Sequence, residues 1–485
     1  GSLVITGGTL DVNSLHLYSG WQGDKTAYGV ASVYIAPEAS LSKTVQTVYL
    51  DLCIDNDHFY PLAVPFPVKI CGTSGNEENM QGYHVRYAED WLNQYAKYRA
   101  DGTGQVIIKR YDGAHRAETG KAEGNWVGVA YNETLQPSEG YIIRAVPVSG
   151  QDTAVIRIEM EVPDAWTTGG EQGTVENITR NQISVTAHGT DKPTLDDTHK
   201  GWNMLGVPYL SYFGTQNWDG ESSGIAGGKV VIQDGKIVLD DKTVRYVSVP
   251  TYDFSEYIQT PLSSTSLRPG WSFFVQIGKG GTLTFATTDR EASSPLLAPA
   301  QSNSEQELTL LLSHGAKSDH TGLILSDAYT TDYEIGADLE KMFGEGFTLS
   351  VYTLSGNTRL AYNALSREAA TQLIPVGFRA PEEGEYTFSL PEDSPTKGIE
   401  RIDLIDYETG TLTNLLSAPY TFSTTRTESD SRFAITITYS KETPTDTEAP
   451  FGKGNKRIEK VLIQQQLYII IDGKMYDATG KKVNE

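Results

Sequence analysis

The chain has 485 residues, a formal net charge of −23 and 38% hydrophobic residues, enough for about three packed domains. An acidic balance of that size argues against a nucleic-acid or anionic-membrane partner, because both demand concentrated Lys and Arg. Tyr (27) outnumbers Phe (14), which suits sheets with one wetted face, and no apolar run reaches the roughly 20 residues of a membrane-spanning helix.

The first residues, LVITGGTLDVNSLHL (3–17), pair apolar positions at Leu3/Ile5, Leu10/Val12 and Leu15/Leu17 between Gly7-Gly8 and Asn13-Ser14. One rung of a β-solenoid has this pattern, and so does an ordinary strand pair. The opening GSLVITGG carries no secretory leader, and residues 1–20 are expected to be the end of something longer upstream. In TVYLDLCI, Val48, Leu50, Leu52 and Ile54 alternate with polar residues. In PLAVPFPVKIC, Leu62, Val64, Phe66, Val68 and Ile70 do the same. The chain's two cysteines, Cys53 and Cys71, fall at the odd positions and so project from the face opposite the apolar one. Pro65 and Pro67 make the second segment an edge or bulged strand.

Helix signals are few. AEDWLNQYAKYRAD (88–101) spaces Trp91, Leu92, Tyr95 and Tyr98 at three-to-four intervals, and IGADLEKMFG (335–344) ends at a glycine. The rest reads as meanders, with Asp234-Gly235 marking a two-residue hairpin. Two Pro/Ser/Thr/Gly-rich segments without periodicity, 293–306 and 441–455, divide the chain. A weak repeat lies within the first part: LQPSEGYII (135–143) is echoed by LRPGWSFFV (267–275), and FYPLAVPFPV (59–68) by GWNMLGVPYLSYF (201–213). These features predict an all-β chain of tandem β-sandwiches, jelly-roll or immunoglobulin-like, with few short helices. The expected divisions are 1–20, a sandwich at 21–190, a related one at 200–292, a third at 307–440 and a β-hairpin tail at 456–485.

GWNMLGVPYLSYF, LRPGWSFFVQIG and LTFAT resemble the "GWNLIGNPY … PGQGFFV" sandwich segments of large secreted and surface proteins of Bacteroidetes. The stretch from Leu308 to Tyr439 resembles the sandwich near the C-termini of the same proteins. The tail VLIQQQLYIIIDGKMYDATGKKV (461–483) is similar to their C-terminal sorting tails. The resemblance implies a multidomain protein of the cell exterior or outer-membrane surface. It carries no catalytic residue with it.

The chemistry-bearing residues are sparse. Asp51, Asp55, Asp57 and His58 offer hard ligands, but not at EF-hand spacing; a polar outer face with an Asx turn is the preferred reading, which leaves a metal near Asp55 and Asp57 open. Two cysteines cannot supply a four-ligand zinc site, and an acidic setting does not activate a thiol. A Cys53–Cys71 disulfide fits the shared outer face and the extracytoplasmic resemblance. His314, Asp319 and His320 lack a metal-site spacing. Of Trp126, Trp166, Trp202, Trp218 and Trp271, the second pair of repeated motifs claims Trp202 and Trp271 for the core; Trp218, in TQNWDGESSG, is the candidate ligand-stacking residue. There is no nucleophile elbow, phosphate loop or dinucleotide fingerprint, and no cofactor is expected. The expected function is non-enzymatic: an adhesin-like structural protein spacing or presenting an upstream binding region, with host or microbial surface glycans or proteins as partners. The alternatives are a glycan-binding sandwich module and an accessory part of a secreted glycoside hydrolase.

Overall fold

The computed structural model describes residues 2–22, 27–36, 39–41, 47–55, 58–70, 85–87, 106–130, 133–145, 153–162, 182–215, 230–233, 236–239, 246–250, 257–261, 266–278, 280–285, 289–292, 306–326, 329–335, 337–343, 347–440, 458–463, 466–471 and 474–477. The fold is all-β, with short helices at Gly113–Thr119 and Arg367–Ala370 among the described residues. Two compact units form: Gly1–Ala300 with Met342–Gly346, and Gln301–Lys341 with Phe347–Glu485. The expected helix at 88–101, the segment 441–455 and all of 293–306 except Gln306 lie outside the described residues.

The first unit begins as two stacked layers of chain. Ser2–Ile5 lies parallel to Ser32–Ile35, Gly8–Leu10 to Ala39–Leu41, and Ser14–Gln22 to Thr47–Asp55, with Ser2 beside Ser32, Gly8 beside Ala39 and Ser14 beside Thr47. Successive parallel partners about thirty residues apart are the geometry of a solenoid rung. Thr47–Asp55 continues into a five-stranded sheet in the order Val85–Tyr87, Thr153–Glu161, Thr47–Asp55, Ser14–Gln22, Ala27–Gly29.

The weak sequence repeat is a repeat of topology. One four-stranded sheet runs Tyr60–Leu62, Tyr141–Ala145, Val106–Tyr111, Trp126–Gly128; another runs Trp202–Gly206, Ser272–Gln276, Tyr246–Pro250, Tyr257–Pro261. The registers also correspond: Leu62 sits opposite Tyr141 as Leu205 sits opposite Phe273. Each sheet is entered through a Pro-containing turn. Gln136-Pro137-Ser138-Glu139 closes with Glu139 N–H donating to the Gln136 carbonyl at 3.3 Å, and Arg268-Pro269-Gly270-Trp271 closes the same way at 3.3 Å. The third residue of each has positive φ, 68° at Ser138 and 75° at Gly270. Pro second and positive φ third define a type II turn.

The halves are laced together rather than joined end to end. Ala63 donates its N–H to the Gly270 carbonyl at 2.8 Å, and Gly206, its counterpart, donates to the Ser138 carbonyl at 2.9 Å. Each turn therefore satisfies the other half's edge strand. One apolar cluster runs through both, holding Leu62, Val64, Phe66 and Tyr141 together with Leu205, Val207, Phe213 and Phe273. The expected separation into sandwiches at 21–190 and 200–292 is thus not how the core is distributed. The duplicated elements share one interior, because neither half closes its own edge.

In the second unit an eleven-stranded sheet takes the place of the expected two-sheet sandwich. Its path runs Thr411–Asn414, Ile399–Asp406, Thr427–Tyr439, Ile374–Ala380, Ser350–Ser355, Thr358–Leu365, Lys317–Leu325, Gln306–His314, Gly384–Ser389, Tyr420–Thr424, with Leu339–Glu340 added beside Thr358–Leu365. It curls nearly into a barrel: Phe422, on the last strand of the path, packs 4.8 Å from Phe433 and 5.4 Å from Phe378, on the third and fourth. The expected helix at 335–344 is not formed. Asp338, 2% exposed, accepts the Glu334 and Ala364 N–H groups at 2.7 Å each, and Leu339 pairs with Tyr362. A buried carboxylate tied to two backbone amides overrides a short helical periodicity. C-terminally, Ile458–Ile463, Gln466–Ile471 and Lys474–Asp477 form a three-stranded antiparallel sheet, with Ile471 opposite Lys474 across Asp472-Gly473.

The lacing predicts a sharp contrast between two glycines. A Cβ on Gly206 would lie 2.4 Å from the Glu139 carbonyl oxygen and 2.7 Å from Ala63 Cβ, whereas one on Gly281 meets nothing within 4 Å. Gly206→Ala should destabilise the first unit by at least about 2 kcal/mol, and Gly281→Ala by less than about 0.5 kcal/mol, in urea denaturation followed by tryptophan fluorescence. Equal effects would show that the close approach does not govern stability.

Candidate functional site

A cleft in the described residues opens beside the start of the helix Gly113–Thr119. Asp112 caps it, its carboxylate accepting the His115 N–H at 2.9 Å, and Gly120 closes it with φ 63°. The helix lays Arg116, 3% exposed, over Trp202 with the guanidinium 4.6 Å from the ring. Arg116 Nη2 and Trp202 Nε1 both donate to the Thr198 carbonyl at 2.8 Å. The helix approaches so closely that a Cβ on Gly113 would lie 2.0 Å from the Trp202 carbonyl oxygen. Tyr111 packs edge-on against Phe274 at 4.8 Å and Trp126 at 5.2 Å. Tyr111 and the edge of the buried Trp202 are among the residues that line a cleft of about 470 Å³.

Polar groups line its rim. Glu139 Oε2 accepts the Tyr141 hydroxyl at 2.5 Å, and the Tyr141 oxygen accepts the Gln136 N–H at 3.0 Å. Burial and then the Glu139 charge push the Tyr141 hydroxyl far above its ordinary range. Asn203 is locked, its Oδ1 accepting the Thr186 N–H at 3.1 Å and its amide donating to the Thr186 and Gly201 carbonyls at 2.9 Å. Ser184, Thr186 and His188 complete the rim. Burial pushes His188 below the usual histidine range, with Asp112 pulling weakly the other way, so the imidazole is neutral at pH 7. Among the described residues no Lys or Arg lines the cleft, and no hydrogen bond joins His188 to Ser184 or Glu139. These lining residues offer acceptors and hydroxyls beside the Tyr111 ring but no activated nucleophile.

Of the residues singled out from sequence, Trp202 lines this cleft and the others lie elsewhere. Trp218 and Trp166 fall outside the described residues, as do Cys71, Asp57 and the side chain of Asp55. Cys53 is a free thiol, 7% exposed. Alternation holds as expected: Val48, Leu50, Leu52 and Ile54 enter the apolar cluster and Cys53 does not. However, Thr47–Asp55 has Ser14–Gln22 and Thr153–Glu161 as neighbours, while Tyr60–Leu62 pairs with Tyr141–Ala145 and Val68–Lys69 with Thr134–Leu135. The two cysteine-bearing segments therefore do not pair directly. Asp51 is committed to Arg157, two contacts of 2.6 Å from the residue directly opposite it. His314 stacks on Tyr386 at 4.4 Å, Asp319 holds Lys341 at 2.7 Å, and His320 is pushed down chiefly by burial. No three His, Cys, Asp or Glu side chains converge as a metal set among the described residues. Trp202 and Trp271, at 1% and 6% exposure, are core residues as the repeat suggested.

Carboxylates in the second unit, one of them the buried Asp406, act as fasteners. Asp406 accepts Arg432 Nε and Nη2 at 3.1 and 2.9 Å, the Tyr420 hydroxyl at 2.7 Å and the Glu408 N–H at 2.9 Å. Burial alone would raise its pKa, but these donors outweigh it and hold the carboxyl below the usual range. Arg359 bridges Asp430 and Glu428, and Arg379 holds Glu428 at 2.7 Å.

Residues 101–437 match the family model described as Domain of unknown function (DUF8693). No curated protein and no solved structure matches the chain.

A carboxyl whose folded pKa is depressed contributes stability above its unfolded pKa of about 3.9, and that contribution disappears as pH falls through the folded value. Asp406→Asn, which breaks a pair with side chains 0% and 11% exposed, should cost the second unit about 3 kcal/mol at pH 7. Urea midpoints of the variant should also fall less between pH 5 and 2 than those of the wild type. Parallel pH curves would exclude the linkage.

Proposed function

The chain belongs to the DUF8693 family, and on that footing we propose that it is a non-enzymatic structural protein of the cell exterior or outer-membrane surface, adhesin-like, spacing or presenting a binding region stacked on its N-terminal rung. The observation that carries this reading is the parallel layering of Ser2–Ile5, Gly8–Leu10 and Ser14–Gln22 on Ser32–Ile35, Ala39–Leu41 and Thr47–Asp55. Among the described residues Ser2–Ile5 has Ser32–Ile35 as its one strand partner, so its other edge is a template for further rungs. Leu3 and Val4 on this strand are 40% and 43% exposed. The commitment of Asp51, Asp319 and Asp406 to structural ion pairs supports the same reading, as does the resemblance to surface proteins of Bacteroidetes. No helix is long and apolar enough to cross a membrane among the described residues.

An antibody against the purified chain should label intact, unpermeabilised cells that produce it. The chain itself should show no turnover on panels of aryl glycosides and peptides. Labelling only after permeabilisation, or turnover lost on replacing a single carboxylate, overturns the proposal.

A further inference from the structure

The duplication supplies a reference for the cleft. In the second half, the fourth residue of the turn is Trp271, 6% exposed, and its ring meets Tyr28 edge-on at 6.4 Å under the Arg268 guanidinium at 4.8 Å. Tyr28 in turn stacks on Tyr60 at 5.9 Å, and Tyr60 is 1% exposed. The equivalent positions in the first turn and the other edge strand are fixed by the shared register: Leu62 corresponds to Leu205 and Tyr141 to Phe273. Trp271 therefore corresponds to Glu139, and Tyr60 to Asn203. Both line the cleft. Where one copy is plugged by two large rings, the other has a carboxylate and an amide around an opening of about 470 Å³.

We propose that this cleft is a binding site for a neutral saccharide unit, held with one ring face on Tyr111 and Pro137 and its hydroxyls on Glu139, Ser184 and Thr186. The size falls within the roughly 300–1,000 Å³ of small-molecule sites. A pyranose has an apolar face suited to the half-buried Tyr111 ring and a rim of hydroxyls that both donate and accept. Glu139 is positioned for acceptance by the Tyr141 hydroxyl at 2.5 Å, and Asn203 is immobilised by three hydrogen bonds, so the rim is set before a ligand arrives. The absence of Lys and Arg among the described lining residues disfavours anionic ligands. Among the described lining residues Glu139 is the one carboxylate, an acceptor for ligand hydroxyls. This inference is independent of the structural role proposed above. A surface spacer without the site and a site on a protein that is not a spacer are both coherent outcomes.

The test is a glycan array of neutral hexose and N-acetylhexosamine oligosaccharides probed with the full chain, with hits measured by saturation-transfer NMR and titration calorimetry. Wild type should bind at least one oligosaccharide saturably. Glu139→Trp, which restores the ring found in the other copy, should weaken binding at least tenfold with the thermal midpoint unchanged or raised. Ser184→Tyr, on the exposed rim, should do the same if Glu139→Trp perturbs folding. Three results overturn the proposal: no binding above background by folded wild type, binding undiminished in both variants, or displacement by arginine amide but not by free sugar, which would make the cleft a cation site.

Discussion

Everything in the first unit depends on a backbone debt exchanged between its two halves. The strands Tyr60–Leu62 and Trp202–Gly206 are both edges of their own sheets, and an edge leaves N–H groups needing partners. Each is met by the carbonyl of the other half's positive-φ turn residue, Gly270 for Ala63 and Ser138 for Gly206. A carbonyl can be aimed that way only when the third turn residue leaves the ordinary φ region, which glycine does at little cost and serine does under strain. The contact is tight enough that Ala63 and Gly206, equivalent residues, nearly touch. Size is restricted at this seam because two backbones cross there. The shared core follows, since halves held edge to turn bury their apolar faces against each other rather than separately.

Once the halves are locked in this way, differences between them acquire meaning. A duplicated scaffold gives each position a counterpart in a nearly equivalent environment, so a departure cannot be ascribed to the fold's general needs. Trp271 and Tyr60 show what packing asks of the two positions, and Glu139 and Asn203 do something else. The helix Gly113–Thr119 sharpens the asymmetry by stacking Arg116 on Trp202, beside the open site.

The second unit solves its edge problem by curling. A single sheet brings Tyr420–Thr424 back against strands near its other end, and the ring cluster of Phe378, Phe422 and Phe433 fills the interior. Charges near that cluster cannot be left unpaired. Arg432 lies 4.7 Å over Phe422 and 4.9 Å over Phe433 while holding Asp406, so one side chain closes both the aromatic and the ionic contact. The acidic character that dominates the composition is thus partly consumed inside, as links between strands.

The sequence by itself determined the class of structure. Period-two apolar patterning put Val48, Leu50, Leu52 and Ile54 on one face, Asp-Gly pairs marked the hairpins at 234–235 and 472–473, and the two Pro-containing echoes disclosed a duplication. Paired alternation at Leu3/Ile5, Leu10/Val12 and Leu15/Leu17 fitted a solenoid rung and an ordinary strand pair equally. These features are local, and strand geometry turns local spacing directly into facing. Partner choice is not local. Nothing in TVYLDLCI or PLAVPFPVKIC said that they would join different sheets, and the helical spacing of 335–344 gave no sign of Asp338 reaching the amides of Glu334 and Ala364. The helix at 113–119 had only its Asp112 and Gly120 caps to announce it. The cleft was legible in principle, as Glu139 standing where the echo has Trp271. Only the tertiary structure decided that the second position beside it, Asn203 against Tyr60, departs in the same direction, because that pairing exists only once two edge strands and two turns have been brought together across the chain.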